Sequence, residues 1–179
     1  MLTYSRRSLY GKTLIEILIT LMIVSTLLSI MYPTINQWLD KFKIRSLVNN
    51  DLLNLMNARR TAIMTGQYIS VCPLNQNLDC TDDWNASLTA FIDINDDRLF
   101  DSQIDQKLFS FGMHNTNFER SFNRGKMTFS PTGEAFGFNG TLQYCHTSNN
   151  EVFNLTTHII LSGSGRLRIE HPPLSVCDL

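Results

Sequence analysis

The chain has 179 residues, with 15 Lys and Arg against 16 Asp and Glu, for a formal net charge of −1. That balance excludes a global field attracting nucleic acid, so any anion binding has to be local. Setting aside an anchor of about 30 residues leaves roughly 145 for one domain, enough to bury a core.

The chain opens with MLTYSRRSLYG, which carries Arg6 and Arg7 and no acid. From Leu14 to Tyr32 every residue is apolar or small except Glu16. Nineteen such residues, at about 1.5 Å each, span roughly 28 Å as a helix, the thickness of a bilayer core. The arginines before the run predict a cytoplasmic N-terminus and export of everything after Pro33. No Ala-x-Ala-like cleavage site follows the run; the good candidate cut lies before it, after Gly11. A carboxylate at the depth of Glu16 costs about 2.5 kcal/mol or more, so it needs a partner or a task.

After Pro33, apolar residues recur at Ile35, Trp38, Leu39, Phe42, Ile44, Leu47, Val48, Leu52, Leu55, Met56 and Ile63. Steps of three and four mark one helix face, and Gly66 is a natural stop. With Pro33 as the sole breaker, the spacing predicts one helix of about 50 residues. Its N-terminal half would lie in the membrane and its C-terminal half on a globular domain. Beyond Gly66 come short alternating runs at residues 68–72, 88–94, 107–111, 127–130, 142–145, 158–161 and 166–169. They predict an antiparallel sheet covered on one face by the helix, an α+β fold.

Cys72, Cys80, Cys145 and Cys177 all follow the span. In an oxidising compartment the even count fits two disulfides, and three pairings are open. Proximity favours Cys72 with Cys80 and, by elimination, Cys145 with Cys177. Zinc is a poor alternative, since there is no CxxC spacing and His146 and His171 stand apart. No metal, other cofactor or enzymatic motif is read: nucleophile elbow, phosphate loop and paired metal-ligand spacing are all missing from the sequence.

Asp93-x-Asn95-x-Asp97-x-x-x-Asp101 resembles the start of a calcium loop. Arg98 stands at the turn glycine, however, and Ile104 at the bidentate Glu, which favours a polar hairpin loop with Asx turns. Gly163-Ser164-Gly165-Arg166-Leu167-Arg168 is the other chemically suggestive stretch. In a strand, Arg166 and Arg168 share a face, and glycines before them make a bendable loop. Two neighbouring guanidiniums suit phosphate contacts. The bland alternative is a solvated edge strand whose arginines oppose aggregation. Arg120, Arg124 and Lys126 extend a basic patch if the fold brings them close.

Gly11 followed by Thr13-Leu14-Ile15-Glu16 resembles the class III signal of type IV prepilins and type II secretion pseudopilins. Glu16 is the fifth residue after the cut and Pro33 the twenty-second, both positions that family uses. The departure is Lys12, where the family usually has Phe or Met. Ala58-Arg59-Arg60-Thr61-Ala62, SVCP from Ser70, FIDINDDRLFD from Phe91, FSPTGEAFG from Phe129, LQYC from Leu142 and LSGSGRLRI from Leu161 recur in the same order in the GspH/FimT minor pilin family. The resemblance covers nearly the whole chain. It implies the type IV pilin fold, with residues 1–11 as leader, 12–33 as transmembrane helix half, 34–66 as amphipathic half and 67–179 as the β-rich domain. It also implies cutting after Gly11 by a prepilin peptidase, methylation of the new N-terminus, and pairing of Glu16 with a neighbouring pilin's amine. Lys12, one turn before Glu16, is a second cation for that carboxylate. The GRxR stretch resembles the DNA-binding motif of FimT-type minor pilins in competent bacteria, which assigns DNA contacts to Gly165, Arg166 and Arg168. The implied partners are other pilins, the inner membrane and DNA. A type II secretion pseudopilin that binds only proteins is the alternative.

Overall fold

The structure is a computed structural model that describes residues 13–112, 118–146 and 156–172. It divides into two units, Met1–Asp40 and Lys41–Leu179. One helix, α1 (Leu14–Thr65), contributes to both. In the first unit, Leu14–Tyr32 is long and apolar enough to cross a membrane, and none of it is buried. Its serine and threonine hydroxyls are satisfied within the helix: Thr20, Ser25, Thr26 and Ser29 donate to the carbonyls of Ile17, Leu21, Ile23 and Ser25. Such local bonding lets polar residues sit in a segment surrounded by hydrocarbon.

In the second unit, α1 runs to Thr65 and stops at Gly66, whose φ of 66° is the left-handed turn that favours glycine. The helix buries Ile44, Val48, Asp51, Leu55, Ala58 and Ala62. These alternate in steps of four and three, one narrow seam. The stripe read from the sequence is wider than the face that is covered: Phe42, Met56 and Ile63 are exposed. Ile35, Trp38 and Leu39, in the first unit, are exposed as well. Each large seam residue withdraws its side chain from water for about 1.5–3 kcal/mol.

The strands are β1 (Tyr68–Pro73), β2 (Leu88–Asp93), β3 (Gln106–Phe111), β4 (Phe118–Phe122), β5 (Met127–Phe129), β6 (Gly140–His146), β7 (Thr156–Leu161) and β8 (Leu167–Glu170). They form two antiparallel sheets, in the orders β3-β2-β1-β5 and β4-β6-β7-β8. The helix seam joins a single core with Val71, Leu88 and Phe129 of the first sheet and Phe122, Leu142 and Ile159 of the second. β1 and β2 are covered on both sides, since Phe91 also packs edge-on against Phe100 from the following loop at 5.2 Å. The Cys72–Cys80 disulfide is present, tying β1 to that side of the sheet. Cys145 is disulfide-bonded too, but its predicted partner, Cys177, lies outside the described residues.

β4 is the strand the sequence pattern did not announce. Its inward positions are Phe118, Arg120 and Phe122, so a charge interrupts the apolar alternation that marks a strand.

Candidate nucleic-acid interface

Among the described residues β8 is an edge strand of the second sheet, paired with β7 through Leu161↔Leu167, Ile160↔Arg168, Ile159↔Ile169 and His158↔Glu170. Leu167 and Ile169 pack on the core, while Arg166, Arg168 and Glu170 alternate with them on the exposed side. Arg166 and Arg168 line one shallow depression with Ile160, Ser162 and Ser164. Glu170 lies 3.7 Å from Arg168, with both side chains more than half exposed. An exposed pair of this kind is worth less than about 1 kcal/mol, so a phosphate can displace it.

The turn carrying these arginines is not the bendable loop that its glycines predict. The Gly165 amide donates to the Ser162 carbonyl at 2.8 Å, and the Ser162 amide to the Arg166 carbonyl at 3.0 Å. The Ser162 hydroxyl accepts from the Arg166 amide at 3.1 Å. From outside the hairpin, the Ala135 amide donates to the Gly163 carbonyl. Arg59 of α1 completes the clamp, with Nε donating to the Gly133 carbonyl at 2.8 Å and Nη2 to the Ser164 carbonyl at 3.2 Å. Gly165 is buried at φ 73°, and a Cβ there would run into the Gly133 carbonyl and the Arg59 side chain. Its place in the site is to let the turn close against its neighbours. In the sequence Arg59 and Arg60 stand within a short motif, with nothing local to give them a role. The available signal was a pair of arginines beside the small residues Ala58 and Ala62, which let a helix approach closely.

The other basic candidates fall elsewhere. Arg124 and Lys126 lie in the link from β4, at the edge of the second sheet opposite β8, to β5, at an edge of the first. Three strand spacings, about 14 Å, separate β4 from β8. Arg120 is not part of a surface patch. It is 6% exposed, and its guanidinium donates to Asp51 Oδ2, to the Trp84 carbonyl and to the Ala86 carbonyl. Asp51, on the helix seam, is fully buried and also accepts from the Tyr144 hydroxyl at 2.8 Å. Burial first, and the Asp51 charge second, hold the Tyr144 phenol well above its ordinary range, so it remains a donor. Gly112, at φ 75°, has no side chain to collide with the Arg120 guanidinium.

The acidic loop of residues 94–105 spends its carboxylates on backbone amides. Asp97 Oδ1 accepts from the Leu99 amide, Asp101 Oδ1 from the Gln103 amide, and Asp105 from the amides of Ile94 and Asp101. Asp93 Oδ2 accepts from the Ser70 hydroxyl and the Arg98 amide. Arg98 takes φ 63°, supplying the left-handed turn that a calcium loop would give to glycine. Among the described residues, no three His, Cys, Asp or Glu side chains converge as a metal site.

Burial pushes the Asp93 carboxyl above its ordinary value, against the Ser70 and Arg98 hydrogen bonds that pull it down. The folded protein thus holds this proton more tightly than the unfolded chain does. The resulting stabilisation is complete below the ordinary carboxyl value of 3.8 and is lost as pH rises through the folded value. Asp93→Asn stays neutral throughout. Its melting temperature relative to the parent is expected to climb as pH rises above the ordinary carboxyl value of 3.8. A difference that is constant with pH would show that the carboxyl is not shifted upward.

Gly11 and Lys12 lie outside the described residues; Glu16 is exposed in the first turn of α1. Residues 49–165 match the family described as "Type II transport protein GspH". Two crystal structures of the type IV minor pilin FimU from Pseudomonas aeruginosa share the fold. One is 17% identical with a TM-score of 0.53, covering 75% of this chain and 91% of that one. The other, in a different space group, is 17% identical with a TM-score of 0.51, covering 70% of this chain and 91% of that one. Among curated proteins, none matches the chain.

Proposed function

We propose that this chain, which belongs to the GspH family of type II transport proteins, works as a minor type IV pilin that binds DNA for uptake in natural transformation. In this reading residues 1–11 are a leader removed after Gly11 by a prepilin peptidase, leaving Lys12 at the new N-terminus. Leu14–Tyr32 then spans the inner membrane once, with the later residues in the periplasm until assembly near the pilus tip. Other pilins pack through the N-terminal helix, where Glu16 draws a neighbour's terminal amine to a carboxylate that hydrocarbon would otherwise leave unpaired.

The observation that carries the DNA reading is that Arg166 and Arg168 stand exposed in one depression on a turn already fixed by hydrogen bonds. Each offers a planar fork of donors to phosphate oxygens. Contacts of that kind read no sequence and weaken with salt. The test is a titration of the full chain, in a non-ionic detergent, with duplex DNA over a range of salt. The parent is expected to bind. The folded Arg166→Ala/Arg168→Ala variant is expected to lose about 1.8 from the slope of log affinity against log salt. A parent that does not bind at low salt returns these arginines to the role of a solvated strand edge.

The family's own description favours a second reading, a type II secretion pseudopilin that binds only proteins. Deletion would separate the two: loss of transformation supports the first, and loss of secretion the second.

A further inference from the structure

Arg59 and Arg60 are adjacent on a helix, about 100° apart around its axis, and they have different surroundings. Arg59 turns inward and fastens two loops through the Gly133 and Ser164 carbonyls. Arg60 is exposed, and among the described residues its guanidinium has no partner. It looks across a groove of about 530 Å³ between α1 and the β7–β8 hairpin, with Arg166 and Leu167 on the facing wall. Leu53, Met56, Ile63 and Met64 are the apolar residues on the helix side. In a chain with net charge −1, the charged residues among the described ones that line this groove are all arginines. Arg166 lines both the groove and the depression that holds Arg168, so it joins the two surfaces.

Resting on the DNA-binding reading above, we infer that Arg60 is a third phosphate-binding residue of that surface. Arg168, Arg166 and Arg60 form a track that passes from the outer face of β8, over the turn, to α1. The occupant of the groove is nucleic acid backbone: its phosphates meet guanidiniums on both walls, and its sugar carbons lie against the apolar floor. Among the described residues no carboxylate lines the groove to oppose it.

The experiment uses the full chain in non-ionic detergent and a fluorescent duplex, with affinity measured across salt concentrations. Arg60→Ala is expected to weaken binding about 3–10-fold at low salt and to lower the salt slope by about 0.9, one phosphate contact. Arg60→Lys is expected to keep the slope, since an ammonium still neutralises a phosphate. Arg45→Ala, exposed on the same helix but outside the groove, is expected to match the parent. If Arg60→Ala binds like the parent while Arg166→Ala/Arg168→Ala does not, the inference about Arg60 falls and the DNA reading stands. If Arg60→Ala retains binding but no longer enters filaments, the groove belongs to a neighbouring subunit and the inference falls equally. A parent that binds no DNA overturns both.

Discussion

Truncating Arg120 to alanine is expected to cost the protein about 3–5 kcal/mol, the usual result of leaving one member of a buried ion pair without the other. Asp51 would remain in the core, fully buried, with only the Tyr144 hydroxyl to answer its charge. The carbonyls of Trp84 and Ala86 would lose their donors as well, and buried acceptors without partners are costly. Asp51→Ala should cost a similar amount for the opposite reason, stranding the guanidinium. The combined Asp51→Leu/Arg120→Met variant should recover the part of the loss that comes from the stranded charge, because an apolar pair leaves none to desolvate. The Trp84 and Ala86 carbonyls still lack their donors in it. Urea unfolding of the parent, Asp51→Leu, Arg120→Met and the combined variant closes the thermodynamic cycle. Equal and additive losses would mean that the two residues do not act as a pair.

Gly165→Ala is expected to be the most damaging glycine substitution in the hairpin. A residue with a Cβ at φ 73° pays about 1–2 kcal/mol for the left-handed conformation. The added methyl must also displace the Gly133 carbonyl or the Arg59 side chain, and overpacking of this kind adds about 1–3 kcal/mol. Gly66→Ala is the control, since Gly66 has φ 66° and open space around the site of its Cβ. It should show the conformational cost alone. The difference in unfolding free energy between the two variants measures the crowding. Two equal losses would show that Gly165 is needed for its backbone angle and not for close approach. The same variant should disturb DNA binding without removing an arginine, because Arg166 follows directly on the displaced turn.

Much of this architecture was legible because it follows from local pattern. The uninterrupted run to Gly66 carried the helix and its end. Alternation carried seven of the eight strands, and proximity identified the Cys72–Cys80 bond. What escaped depends on residues far apart in sequence. β4 was missed because Arg120 looks like a surface residue until Asp51, 69 positions away, is placed against it. The same blindness put Arg120 among the basic candidates. Arg59 was passed over because the carbonyls it holds come from loops 74 and 105 positions later. The glycines before Arg166 suggested looseness, since sequence shows glycine's freedom but not the neighbours that remove it.

The seam on α1 has one more consequence. Ile44, Val48, Leu55, Ala58 and Ala62 present a repeating apolar surface, and a repeating surface can be seated at more than one position along a sheet. A slip of one turn, about 5.4 Å, would bring Val48 or Leu55 opposite Arg120 with modest apolar loss. It would also carry Asp51 to where no guanidinium waits. The misplaced alignments therefore lie above the native one by the stranded charge, in addition to the mismatch of large and small residues along the seam. Asp51 works as an address: its charge adds a second reason for the helix to take one seat.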